Sequence, residues 1–140
     1  MTEKEARDLM KSIKTIASVG LSSSSEKESY GIVLYLKMVG YKVIPVNPTA
    51  SEIMEEKSYP DLLSIPEKID VVQIFRKAED VPPIVDQAIQ IGARIVWMQE
   101  GIRNDAAAQK AARAGLIVIQ DECMRSWHMH LFGNPFTRRR

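Results

Sequence analysis

Asp70-Val71-Val72-Gln73-Ile74-Phe75 opens a stretch, residues 70–98, that closes on Arg94-Ile95-Val96-Trp97-Met98. Both ends are short, apolar and rich in β-branched residues, as buried strands are. Between them Val81, Ile84, Val85, Ala88 and Ile89 recur at helical spacing, which gives that segment one apolar face to lay on a sheet. Gly92 follows the helical run and precedes the second strand, where a left-handed C-cap is wanted. Strand, helix and strand in that order make a parallel pair joined by a crossover.

The unit repeats on either side. Thr15-Ile16-Ala17-Ser18-Val19 and Lys42-Val43-Ile44-Pro45-Val46 read as strands upstream, and Leu116-Ile117-Val118-Ile119 as one downstream. Ile32, Val33, Leu36 and Val39, and then the alanine-rich run 105–114, supply the helices; Gly40 and Gly115 stand at their ends and Asn104 in the N-cap position of the second. The expected fold is α/β: a Rossmann-like three-layer sandwich, a five-stranded parallel sheet of order 3-2-1-4-5 with helices on both faces. The segment 48–66 breaks the pattern. Glu52 to Lys57 reads as a short helix, while Tyr59-Pro60 and Ile65-Pro66 favour extended or turn geometry, so the second crossover is expected to be irregular.

Composition bounds the function. A chain of 140 residues with 45% hydrophobic and 26% charged residues suits one domain with its own core, here 1–140 with 134–140 as a basic C-terminal tail. A formal charge of +1 gives no bulk electrostatic case for nucleic acid, and Arg138-Arg139-Arg140 reads as a solvated terminus. The single cysteine, Cys123, fits a reducing compartment, the start carries acids without an apolar h-region, and Gly31 to Tyr41 is too short to span a bilayer. A cytoplasmic protein without a membrane segment is expected.

In an open sheet of this kind the ligand crevice lies beyond the carboxyl ends of the strands. The first such loop is Gly20-Leu21-Ser22-Ser23-Ser24-Ser25, leading into the helix that contains Tyr30. Its glycine allows a tight turn, and amides and hydroxyls before a helix suit phosphate oxygens. It is not G-x-G-x-x-G, since serines stand at the second and third glycine positions. In the second loop, Val46-Asn47-Pro48, no acid stands where a dinucleotide enzyme places one for the ribose diol. Asn47 and the backbone around it are candidates for a ribose or adenine edge instead.

The Gly-x-Ser turn, Gly40-Tyr41-Lys42-Val43, Pro45-Val46-Asn47-Pro48, Phe75-Arg76, Ala78-Glu79-Asp80-Val81-Pro82, Val96-Trp97-Met98-Gln99, Gly101-Ile102-Arg103-Asn104 and Ala114-Gly115-Leu116 resemble, in order and spacing, the CoA-binding domain family. The match runs from about Ile13 to His128. That family is similar to the first domain of the succinyl-CoA synthetase alpha subunit, whose glutamate-glycine-isoleucine turn is matched by Glu100-Gly101-Ile102. The resemblance implies coenzyme A as the ligand. Phosphates would lie near Gly20, Leu21, Ser22, Ser23 and Ser24, with Tyr30 following; adenine would lie by Val46, Asn47 and Pro48, bordered by Phe75, Arg76 and Val81. Met98, Gln99, Gly101, Asn104 and Cys123 complete the implied site. Two departures stand out: Thr49-Ala50 replace the synthetase's lysines after the asparagine-proline turn, and serines replace its first-loop glycines.

No triad, zinc or Walker pattern is present, and His128-x-His130 with Cys123 lacks ligand spacing, so neither catalytic residues nor a metal are expected. The expectation is non-catalytic binding of CoA or acyl-CoA by a carrier, sensor or regulatory domain, with a homodimer left open. An NAD(P)-dependent oxidoreductase and an interaction module that has lost its ligand are the alternatives. Asp121-Glu122-Cys123 is expected to start the last helix, with Asp121 as N-cap and Cys123 in the first turn, on the ligand side, where a CoA thiol and Cys123 would form a mixed disulfide under oxidation.

Overall fold

The computed structural model describes residues 1–136; the Arg138–Arg140 tail lies outside the described residues. All the expected strands form: β1 (Thr15–Val19), β2 (Lys42–Val46), β5 (Val71–Ile74), β6 (Ile95–Met98) and β7 (Ile117–Ile119). Two shorter ones, β3 (Glu52–Ile53) and β4 (Glu56–Lys57), make a separate hairpin. The helices are α1 (Glu3–Ser12), α2 (Glu28–Met38), α3 (Val81–Gln90), α4 (Asp105–Arg113) and α5 (Met124–Phe132).

Every pairing in the main sheet is parallel, and the order is β2-β1-β5-β6-β7. The place beyond β2, where the order 3-2-1-4-5 puts a third strand, is held by a single parallel bridge between Val46 and Tyr59. Tyr59 N donates to Pro45 O at 3.0 Å and Asn47 N to Tyr59 O at 2.9 Å. Counting Tyr59 as the third position gives the order 3-2-1-4-5-6, the 3-2-1-4-5 pattern with one further strand at its end. The run at 70–75, third among the apolar runs, is then the fourth position and lies against β1. The irregular crossover explains this arrangement: its proline-flanked chain offers one residue to the sheet edge where a full strand would offer several.

Alternation along the strands builds two cores. Ile16, Val43, Val71, Ile95 and Trp97 pack with Ala6, Met10, Leu36, Met124 and Leu131, on the side of α1, α2 and α5. Ala17, Ile44, Val72, Ile74, Val96 and Met98 pack with Val81, Val85, Ala88, Ala107 and Ala111, on the side of α3 and α4. Because both faces are covered, the strands read as continuous apolar runs without a polar alternation.

Two local expectations are corrected. Glu52 to Lys57 is a hairpin, not a helix, turning through Met54 and Glu55 at φ 55° and 65°, the left-handed pair that a two-residue primed turn needs. Lys37 holds that turn, with Nζ donating to Met54 O at 3.3 Å and pairing with Glu56 at 3.2 Å. Asp121 is not the cap of α5 either. It takes φ 58°, and its Oδ1 accepts from Gly101 N at 2.6 Å, so the chain enters the helix two residues later and Cys123 itself is the N-cap. Asn104 does cap α4, its Oδ1 accepting from Ala107 N at 3.0 Å.

Candidate functional site

Beyond the carboxyl ends of β1, β2 and β5 lies a cleft of about 480 Å³, within the range of small-molecule sites. Its floor and walls come from the loops after β1, β2 and β5, the crossover at Pro60 to Leu62, and one helix. Gly20 follows β1; Val46, Asn47 and Pro48 close β2; Arg76 follows β5; Pro83, Ile84 and Gln87 face it from α3.

Gly20 is there for a reason the structure makes visible. Its φ is +86°, and a Cβ at this position would come within 2.7 Å of Arg76 Cδ and 3.2 Å of the Phe75 carbonyl carbon. The Arg76 stem thus lies across the turn after β1. Its guanidinium bonds Asp80, Nη2 to Oδ2, at 3.0 Å, with the two side chains 50% and 38% exposed, so the charge remains reachable from solvent.

The rest of the first loop is largely tied to itself. Ser22 N donates to Ser29 Oγ at 3.1 Å, Ser24 N to Ser22 Oγ at 3.0 Å and Glu26 N to Ser24 Oγ at 3.3 Å. Among the described residues the exposed amides of Ser23 and Ser25 have no such acceptor. α2 follows without a side-chain cap on its N-terminus. Asn47 is spent as a brace: Nδ2 donates to Leu21 O at 3.0 Å, and Oδ1 accepts from Thr49 N and Thr49 Oγ1, both at 2.8 Å. The loops after β1 and β2 are thereby locked together.

Not every sequence candidate reaches this cleft. Gly20, Val46, Asn47, Pro48 and Arg76 line it. Leu21, Val81 and Met98 are fully buried and offer no side-chain surface to a ligand. Phe75 and Tyr30 pack against the α5-side core. Gly101 is exposed at the turn after β6, and Asn104 uses its amide on the cap and on Ala78 O at 2.9 Å. Gln99 is buried in a polar chain: Ser18 Oγ donates to Gln73 Oε1 at 2.6 Å, Gln73 Nε2 to Gln99 Oε1 at 3.1 Å, and Met124 N to the same Gln99 oxygen at 3.0 Å. Cys123, only 9% exposed, lines a second cleft of about 410 Å³ with Glu100, Asp121, Glu122, Ser126, Trp127 and His130.

The profile of the CoA binding domain family matches residues 14–128. This chain belongs to the CoA-binding domain family. Its relatives in that family include small proteins and parts of large ones. It is 32% identical over 127 residues to the uncharacterized protein YneT of Bacillus subtilis, covering 91% of this chain and 94% of that one. A solved hypothetical protein from Pyrococcus horikoshii is 40% identical at a TM-score of 0.93, with 95% of this chain and 94% of that chain covered. The ADP-forming acetate–CoA ligase II of Archaeoglobus fulgidus is 37% identical over 83 residues, 58% of this chain but 12% of the ligase. The ligase's activity therefore belongs to a protein of which this chain spans a small part.

Sequence reasoning missed Thr49, Pro60, Asp61, Leu62, Glu79, Asp80, Pro83, Ile84 and Gln87 in the cleft lining. Pro83, Ile84 and Gln87 follow from the strand-end rule once extended into the helix after β5. Asp61 and Leu62 come from the irregular crossover, where no periodic signal locates them; Leu62 is held by its N–H to Gln87 Oε1 at 3.1 Å.

Proposed function

We propose that this chain binds coenzyme A or an acyl-CoA, and that it does so as a binding domain without chemistry of its own. The observation that carries the reading is the convergence of Gly20, the Val46-Asn47-Pro48 turn and Arg76 on one cleft at the ends of adjoining strands, in a chain of the CoA-binding domain family. Phosphates are placed on the loop from Gly20 to Ser24 beside Arg76, and adenine between the loops after β2 and β5. The pantetheine arm would run past Gly101 toward the second cleft and Cys123.

Leu21, Val81 and Met98 serve as buried packing, and Gln99 anchors the first amide of α5. Among the described residues the lining of the first cleft holds no cysteine or histidine as a nucleophile, its Thr49 hydroxyl is bonded to Asn47, and its carboxylate Asp80 is paired with Arg76, which supports the binding reading. Asn47, where a ribose-binding acid would stand in a dinucleotide enzyme, disfavours NAD.

Thermal melting tests the reading, because only a ligand that prefers the folded state raises Tm. CoA at a hundred times its Kd should stabilise by about 2.7 kcal/mol, and NAD at the same concentration by much less. Equal shifts, or none with CoA, would reject it.

A further inference from the structure

We infer that Asp80 is an internal counter-anion that occupies Arg76 at the cleft and must be displaced by a ligand phosphate. This rests on the CoA reading of the cleft and names the residue that holds down its affinity for phosphorylated ligands.

Asp80 stands in the N-cap position of α3, where an aspartate ordinarily accepts an N–H from the second or third helical residue. Here those residues are Pro82 and Pro83, which have no N–H. Asp80 accordingly makes no side-chain cap bond. Its carboxylate is released from the usual task and turns to Arg76 at 3.0 Å. The Arg76 stem in turn lies over Gly20. The guanidinium is thus presented to the cleft with a carboxylate on it. It is the only cation among the described residues that line the cleft, against Asp61, Glu79 and Asp80. A phosphate replacing Asp80 on Arg76 keeps a charge-assisted bond and sends the carboxylate to solvent. An unphosphorylated ligand has no use for the exchange.

Calorimetric titration of CoA and adenosine into wild type, Asp80→Asn, Glu79→Gln and Arg76→Gln/Asp80→Asn provides the test. Freeing a half-exposed ion pair should tighten CoA about threefold in Asp80→Asn. Glu79→Gln changes the cleft charge equally without touching the pair, so its gain should be smaller. The gain should vanish in the double variant, and adenosine should bind Asp80→Asn as it binds wild type. CoA affinity unchanged or weakened in Asp80→Asn overturns the inference while the CoA reading stands, as does an equal gain in Glu79→Gln. No CoA binding by wild type or any variant overturns both.

Discussion

Gly20 shows how one residue carries both backbone and site. At φ +86° any L side chain is strained, and its Cβ would also push Arg76 Cδ from 2.7 Å. Gly20→Ala should therefore lose about 1–2 kcal/mol of stability and weaken CoA binding, since the arginine stem beside the phosphate loop must shift to admit the methyl group. Chemical denaturation and calorimetry on the same preparation read the two effects; a stable variant with wild-type affinity would show that the Arg76 stem is not part of the site. The sequence pointed to this glycine as a tight turn in the phosphate loop. The structure shows that the arginine stem lies where its side chain would be.

At the scale of elements, α5 is fixed by a residue outside it. Cys123, its N-cap, makes no side-chain bond to the helix, and the first amide, Met124 N, is satisfied by Gln99 from the end of β6. That oxygen also receives Gln73, so a buried chain from Ser18 through β5 and β6 ends on the helix. Gln99→Leu would leave both donors unpaired and should cost about 1–3 kcal/mol. The expected signs are a lower Tm and faster hydrogen exchange at Met124, with β1–β2 amides unaffected. Uniform loss of protection would mean that the chain holds the sheet rather than the helix. The middle of α5 carries a titrating group. His128 Nδ1 lies 2.7 Å from Tyr35 Oη, among Tyr41 and Phe132, and burial holds its pKa below the ordinary 6.5. The unfolded chain therefore binds this proton more readily than the folded one. Stability should be full above pH 6.5 and fall as the pH drops from there toward the lower folded pKa. In melts between pH 7.5 and 5 that slope should flatten in His128→Phe; an unchanged slope would assign it to other groups.

For the whole molecule, what the sequence settled by itself was local. Val71 to Ile74 and Ile95 to Met98 are strands because they are short, β-branched and buried on both sides, and Val81, Val85 and Ala88 recur at the period of a helix. Asn104 caps its helix because the amide it serves is three residues away. From such runs the α/β class, the parallel sheet and the strand-end position of a crevice all followed. Tertiary structure alone decided the pairings between distant residues. Tyr59 is at the edge of β2 because the crossover from 48 to 66 folds back there, and no pattern within the crossover encodes that return. Asp121 turned away from α5 because the Gly101 amide, twenty residues earlier in the chain, stands within reach. Asp80 is free of its helix for a reason visible in Pro82 and Pro83, and Arg76 stands only four residues before it, yet only the fold sets Gly20 beneath the arginine stem. Periodicity records which side of an element is buried; which groups meet across the ends of a sheet depends on loop paths through space, and those are fixed by the packing of both cores together.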